Sequence, residues 1–158
     1  MKNFVICTLL ACGFGLCAEI LTLIPDQKGI PAGWAVYHNS KPRGLAPNGS
    51  LKLENGVLHI KDLGKNSEYG IRRAYKFEAG KYVFKVDVSG QCTNALMVVF
   101  DGKKTFSKSF KTGADPKKWT PYSLGFSAAG GPGYIFVYGN YAGTADFSIK
   151  NIAIEQLK

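Results

Sequence analysis

Arginine and tyrosine alternate through one segment of this chain in a way that could grip a polar ring. In Tyr69–Phe77, the residues Tyr69, Ile71, Arg73, Tyr75 and Phe77 share one parity, while Gly70, Arg72, Ala74 and Lys76 share the other. An extended chain sends alternate side chains to opposite faces. Arg73 and Tyr75 then lie on one face with apolar neighbours. A buried arginine without a partner costs several kcal/mol. Either a bulge shifts the register, or Arg73 and Tyr75 look outward. The outward case sets a planar donor fork beside a phenol ring, which suits recognition of hydroxyls or carboxylates. The competing reading is an arginine paired with a nearby Asp or Glu. Tyr69 and Arg72 belong to the same candidate set.

A second aromatic group lies in Tyr134-Ile-Phe-Val-Tyr138. If Ile135 and Val137 point into a core, then Tyr134, Phe136 and Tyr138 line an outer sheet face. The reverse arrangement, with an aromatic core, is equally compatible with the pattern. Tyr141 sits between Gly139 and Gly143, whose backbone freedom lets a loop present a ring. The candidate binding residues are thus Arg73, Tyr75, Tyr138, Tyr141, Tyr69 and Arg72. Trp119 and Trp34 read as packing residues, with Tyr37 beside Trp34 as a possible rim.

Catalytic sets are harder to find. Cys92 has no histidine near it in sequence, since the two histidines are His38 and His59. Eleven acids are present, most beside turns, and no glycosidase carboxylate pair stands out. Glycine-rich phosphate motifs ahead of a helix are missing. The expectation is a protein that binds rather than an enzyme.

The elements that must carry these residues are strands. In Lys76–Gly90, Tyr82, Phe84, Val86 and Val88 alternate with Val83, Lys85 and Asp87, as a half-buried antiparallel strand requires. This strand is expected to pair with Tyr69–Phe77 across Glu78-Ala79-Gly80. Asn55-Gly56 lies between Leu51–Glu54 and Val57–Lys61 and signals a tight hairpin. Asp101-Gly102 turns Ala95–Phe100 into Thr105–Phe110. Further strands are read at Glu19–Ile24, Trp34–Tyr37, Trp119–Phe126, Tyr134–Tyr138 and Asp146–Leu157, with Ala128–Gly133 as a flexible turn. About ten short strands with glycine-rich turns imply an all-β sandwich or barrel.

The chain has 158 residues and a formal net charge of +9. Lys2, the apolar run Phe4–Cys17 and the small Ala18 resemble a secretory signal, so residues 1–18 are expected to be a leader and 19–158 a single domain. Leu9-Leu10-Ala11-Cys12 loosely resembles a lipobox, which makes a lipid anchor at Cys12 the minor alternative. The expected location is outside the cell, at its surface or in a periplasm. Processing would leave Cys92 as a lone thiol, unable to form an internal disulfide. Basic residues are dispersed in pairs such as Lys103-Lys104 and Lys117-Lys118, not in runs. That argues against nucleic acid and is compatible with acidic glycans or headgroups.

Several segments come in a familiar order: Gly33-Trp34, Leu53–Leu58, Tyr69-Gly70-Ile71, Phe77–Tyr82, Trp119–Phe126 and Gly143–Ile154. Together they resemble the jelly-roll carbohydrate-binding modules of the CenC type and the wider galactose-binding-like group, over nearly the whole of 19–158. The resemblance implies a two-sheet antiparallel jelly roll, a monomer, and a polysaccharide or glycoconjugate as partner. It also implies a structural calcium, but Lys150-Asn151 stands where such families carry an acidic residue. Asp146 and Glu19 remain as oxygen donors. Two other readings are a structural or adhesive sandwich docking a protein, and a small polysaccharide lyase.

Overall fold

The computed structural model describes residues 16–40, 43–44, 47–63, 67–112, 115, 117–141 and 145–158. They form strands β1 (Leu16–Ile20), β2 (Ala35–Ser40), β3 (Gly49–Glu54), β4 (Val57–Asp62), β5 (Ser67–Cys92), β6 (Ala95–Phe100), β7 (Thr105–Phe110), β8 (Thr120–Gly139) and β9 (Ala145–Leu157). No helix occurs among the described residues. The expected leader lies outside them up to residue 15, and Leu16–Ala18 of β1 pair with Glu155–Leu157.

The hydrogen-bonded order is β3-β4-β9-β5-β8-β6-β7, with β1 on β9 and β2 on β5. Every pairing is antiparallel. Two strands belong to both layers of the sandwich. β5 and β8 run together from Tyr69 opposite Gly139 to Val88 opposite Thr120. Beside residues 67–72 of β5 lies β2, and beside residues 81–92 lies β9. Beside residues 134–139 of β8 lies β6. One layer is therefore β2, the first half of β5, the second half of β8, β6 and β7. The other holds β3, β4, β9 and β1 with the remaining halves. This is a jelly-roll sandwich.

The expected hairpin across Glu78-Ala79-Gly80 does not form. Tyr69–Phe77 and Lys81–Val88 are halves of one strand, and Ala79 and Gly80 pair with Ala129 and Ala128. Likewise Ala128–Gly133 lies inside β8. Gly130 and Gly131 take φ of 87° and 122°, which side chains with a Cβ resist. Glycines here bend a strand from layer to layer without reversing it. The Asn55-Gly56 hairpin is present, with φ of 50° and 75° at its two central residues.

Alternation places the core as expected. Tyr82, Phe84, Val86 and Val88 are buried and pack with Ile71, Phe77, Ile135, Val137 and Phe147. Trp34 joins this cluster. Trp119 is half-buried and carries the Lys150 ammonium 4.1 Å from its ring centre, a cation–π contact at the position where the resemblance implied an acidic residue.

Asp101 fastens the β6–β7 turn to the bend of β8. Its Oδ1 accepts the N–H groups of Lys104 (2.6 Å) and Lys103 (2.9 Å), and its Oδ2 accepts that of Ala129 (3.2 Å). These amides favour the carboxylate, Lys104 most and then Lys103, and hold its pKa below the ordinary value. A folded pKa below the unfolded one gives stability that is complete above the unfolded value, about 3.9. That stability drains as pH falls through the folded value. Asp101→Ala should therefore lower the thermal midpoint at neutral pH. The gap from the parent should narrow in melts below about pH 3.9. An equal gap at all pH would show that the carboxylate charge contributes nothing.

Candidate functional site

The outer face of the first layer carries a row of aromatic rings. On β8, Ile135 and Val137 are fully buried in the core. The intervening Tyr134, Phe136 and Tyr138 must then point away from it. Tyr134 is 40% exposed, Phe136 is half-buried and Tyr138 is 8% exposed. Ring centres along this row are 6.0 Å apart for Tyr134–Phe136 and 6.4 Å for Phe136–Tyr138. Tyr37 of β2 adds a fourth ring, 4.9 Å from Tyr138 and 5.1 Å from Phe136. On the other side, Phe100 of β6 stands opposite Tyr134.

Gly70 makes this cluster possible. It lies between Tyr37 and Tyr138 in the ladder. A Cβ there would fall on the Val137 carbonyl oxygen and within 2.6 Å of the Tyr138 Cα. Without a side chain at 70, the two phenol rings meet over the strand that separates them.

Each end of the row has its own polar chemistry. At one end, Glu68 is buried and its Oε2 accepts the Tyr37 hydroxyl (2.7 Å) and the Asn39 amide (3.0 Å). Burial, and then Glu68, raise the Tyr37 phenol well above its ordinary range. Burial pushes the Tyr138 phenol up to about 12, with Glu68 and Tyr141 adding to it. The Tyr141 phenol is raised as well, by burial and then by Glu68. The negative charge of Glu68 thus disfavours ionisation of the phenols at this end. All three phenols stay protonated at neutral pH, able to donate hydrogen bonds.

At the other end, the Arg72 guanidinium lies 5.7 Å from the centre of the Tyr134 ring. A groove of about 610 Å³ opens beside it, lined by Ala74, Lys76, Phe100, Pro132 and Tyr134 among others.

Of the residues anticipated from sequence, Arg72 and Tyr138 meet on this face, and Tyr141 stands in the loop that follows β8. Tyr69 and Arg73 do not, and Tyr75 borders the groove but turns its hydroxyl to Glu19. Their parity is that of buried Ile71 and Phe77, and the register from Tyr69 to Phe77 contains no bulge. The outward placement of Arg73 and Tyr75 is therefore corrected. The arginine is tolerated because Glu19, next to the end of β1, meets it at the margin of the sandwich. Glu19 Oε1 lies 3.7 Å from Arg73 Nη2, and Glu19 Oε2 accepts the Tyr75 hydroxyl at 2.9 Å. Tyr69 is buried beside His38. Sequence reasoning did not single out Glu68, Asn39, Phe100 or Lys76. Glu68 and Lys76 share the parity of Arg72, which was the available signal.

Other chemistries find little support. Burial raises the Cys92 thiol to about 11, and the free thiol is 5% exposed. Such a group is protonated and a poor nucleophile. His59 Nδ1 lies 2.7 Å from Ser148 Oγ on an exposed part of the other layer. Among the described residues no group of three or more His, Cys, Asp or Glu could hold a metal ion. Asp146 pairs with Lys61 at 3.6 Å, and Glu19 is engaged as described.

No protein-family profile matches the sequence, and no curated protein is similar to it. Solved structures do match. A family 29 carbohydrate-binding module from Piromyces equi superposes with a TM-score of 0.60 at 11% identity, over 89% of this chain and 91% of that one. A family 29 module complexed with cellulohexaose gives 0.57 at 14%, over 90% and 93%. One complexed with mannohexaose gives 0.55 at 14%, over 89% and 92%. The chain has the jelly-roll fold of these carbohydrate-binding modules, as its motifs implied.

Proposed function

We propose that this chain is a non-catalytic carbohydrate-binding module that holds a glycan on the outer face of β2, β5, β8 and β6. One observation carries the reading. Tyr134, Phe136, Tyr138 and Tyr37 form a continuous aromatic row that the core alternation turns outward. Sugar rings have apolar C–H faces and a rim of hydroxyls. They bind where flat apolar surfaces lie beside fixed polar groups. The row supplies the surface. Glu68, Asn39 and the phenols supply polar groups at one end, and Arg72 and Lys76 at the other. Arg72 takes the part that sequence reasoning gave to Arg73. The fold likeness to carbohydrate-binding modules supports the same reading. Export would bring the module to extracellular polysaccharide, in keeping with the expected leader.

Affinity electrophoresis against neutral and acidic polysaccharides tests this. At least one glycan should retard the folded protein, and Phe136→Ala should relieve the retardation. A correctly folded protein that no glycan slows would remove the proposal and leave the face to a protein partner.

A further inference from the structure

The Arg72 end of the face carries information about which glycan fits. Resting on the binding reading above, we infer that the chain prefers an acidic polysaccharide. Its sugar-borne anion, a uronate carboxylate or a sulfate ester, sits between Arg72 and Lys76 against Tyr134.

Four ion pairs occur among the described residues: Lys52–Glu54, Lys61–Asp146, Arg73–Glu19 and Lys85–Glu155. Arg72 and Lys76 are in none of them. Both are exposed and both point to the outer face. Two carboxylates share their parity on β5. Glu68 is occupied by Tyr37 and Asn39, two same-face steps from Arg72. Glu78 lies beyond Lys76 at the bend, where its backbone is held by the Tyr82 hydroxyl. Neither forms an ion pair with either cation. The two charges therefore face solvent over an aromatic platform, with no counterion from the described protein.

The spacing suits one or two sugar units. Arg72 and Lys76 are four residues apart on a strand, roughly 13 Å between backbones, and their side chains can lean toward each other. Between them is Ala74, opposite Tyr134 in the ladder. Its single methyl leaves the floor low, and Phe100 and Pro132 help wall the groove. Arg72 beside the Tyr134 ring is a planar fork of donors that matches a carboxylate or a sulfate. A neutral glycan would use the ring and accept hydrogen bonds from the two cations but leave their charge without a counterion. The net charge of +9 adds long-range attraction to a polyanion.

The test is affinity electrophoresis at low and high salt in four gels. They contain polygalacturonate, its carboxyl-reduced form, a sulfated galactan, and neutral glucomannan. The proteins are the parent, Arg72→Gln/Lys76→Gln, and a charge-matched control, Lys117→Gln/Lys118→Gln. An acidic gel should retard the parent most strongly. Arg72→Gln/Lys76→Gln should bind it roughly tenfold more weakly, as expected for losing contacts to a charged group. Its urea midpoint should not change, its loss on glucomannan should be much smaller than its loss on the acidic gel, and the control should match the parent. Retardation lost on carboxyl reduction assigns a uronate, and retardation by the galactan alone assigns a sulfate ester. Glucomannan binding as tight as acidic binding, unaffected by Arg72→Gln/Lys76→Gln, would overturn the inference and leave the glycan reading standing. Equal weakening in the control would overturn it too, by tracing the effect to net charge. A folded parent that no gel retards would remove both.

Discussion

Tyr134→Ala should weaken glycan retardation by roughly 30-fold and leave the fold nearly as stable as before. A fully engaged aromatic at the centre of a binding surface is worth about 2 kcal/mol on truncation, which corresponds to that ratio. Tyr134 is the most exposed ring of the row at 40%. It is also the ring shared by the groove, by Arg72 and by the tilted contact with Phe136. Removing it should strip the platform from one end. The core beneath is built by Ile135 and Val137, which stay in place. Stability should then move by about 0.5 kcal/mol or less, as for most surface substitutions. Affinity gels and urea denaturation on the same preparation separate the two effects. Tyr134→Phe keeps the ring and should keep most of the binding. Unchanged retardation of Tyr134→Ala would move the site off this end of the face.

Gly70→Ala should cost about 3 kcal/mol of stability and abolish binding together with it. The added methyl has nowhere to go. It meets backbone atoms, the Val137 carbonyl and the Tyr138 Cα, which cannot swing aside as a side chain would. Relief requires β8 to part from β5, or Tyr37 and Tyr138 to separate. Gly125→Ala is the matched control. It lies in the same strand pair, opposite Val83, and its Cβ would meet nothing within 4 Å. It should be neutral or slightly stabilising, since alanine loses less chain entropy on folding. Urea midpoints measure both. A Gly70→Ala protein as stable as Gly125→Ala would show that the strands yield where the geometry says they cannot.

The sequence made the faces of this fold legible more readily than its connections. Period-two alternation is a local signal, so it placed Phe84 and Val86 inward. It also left open the outward turn of Tyr134, Phe136 and Tyr138 that the structure displays. Asn55-Gly56 was decisive because its backbone angles admit little besides a hairpin. Gly80 and the Ala128–Gly133 run were ambiguous, because the same residues that reverse a chain also let a long strand bend. Nothing local tells the two apart. The choice is made by whether another layer waits on the far side, which is a tertiary fact. Arg73 shows the same limit. Its parity correctly put it with Ile71 and Phe77, and the cost of burying a charge argued it away again. The missing term was Glu19, fifty-four positions earlier in the chain. Glu68 escaped notice for a related reason: an acid becomes a site residue only when Tyr37 and Asn39 arrive beside it.

The passage of β5 through both layers also sets the order in which the molecule can assemble. The β3–β4 and β6–β7 hairpins close over short turns and can form as soon as they leave the ribosome. β5 cannot be completed then. Its first half waits for residues 131–139, and its second half waits for residues 120–129 and 145–157. Of this 26-residue strand only residues 67–72 have an earlier partner, β2, and the rest waits unpaired for β8 and then β9. Distant pairings of this kind make folding slow and leave apolar edges open to other chains. The apolar side of that waiting strand is Tyr82, Phe84, Val86 and Val88. Lys81, Lys85 and Asp87 interleave with it, and charges so placed discourage a second copy from adding itself as a strand. In the folded molecule Lys85 goes on to pair with Glu155, and Asp87 accepts the Asn151 amide, so the same charges guard the strand during synthesis and bind it to β9 afterwards.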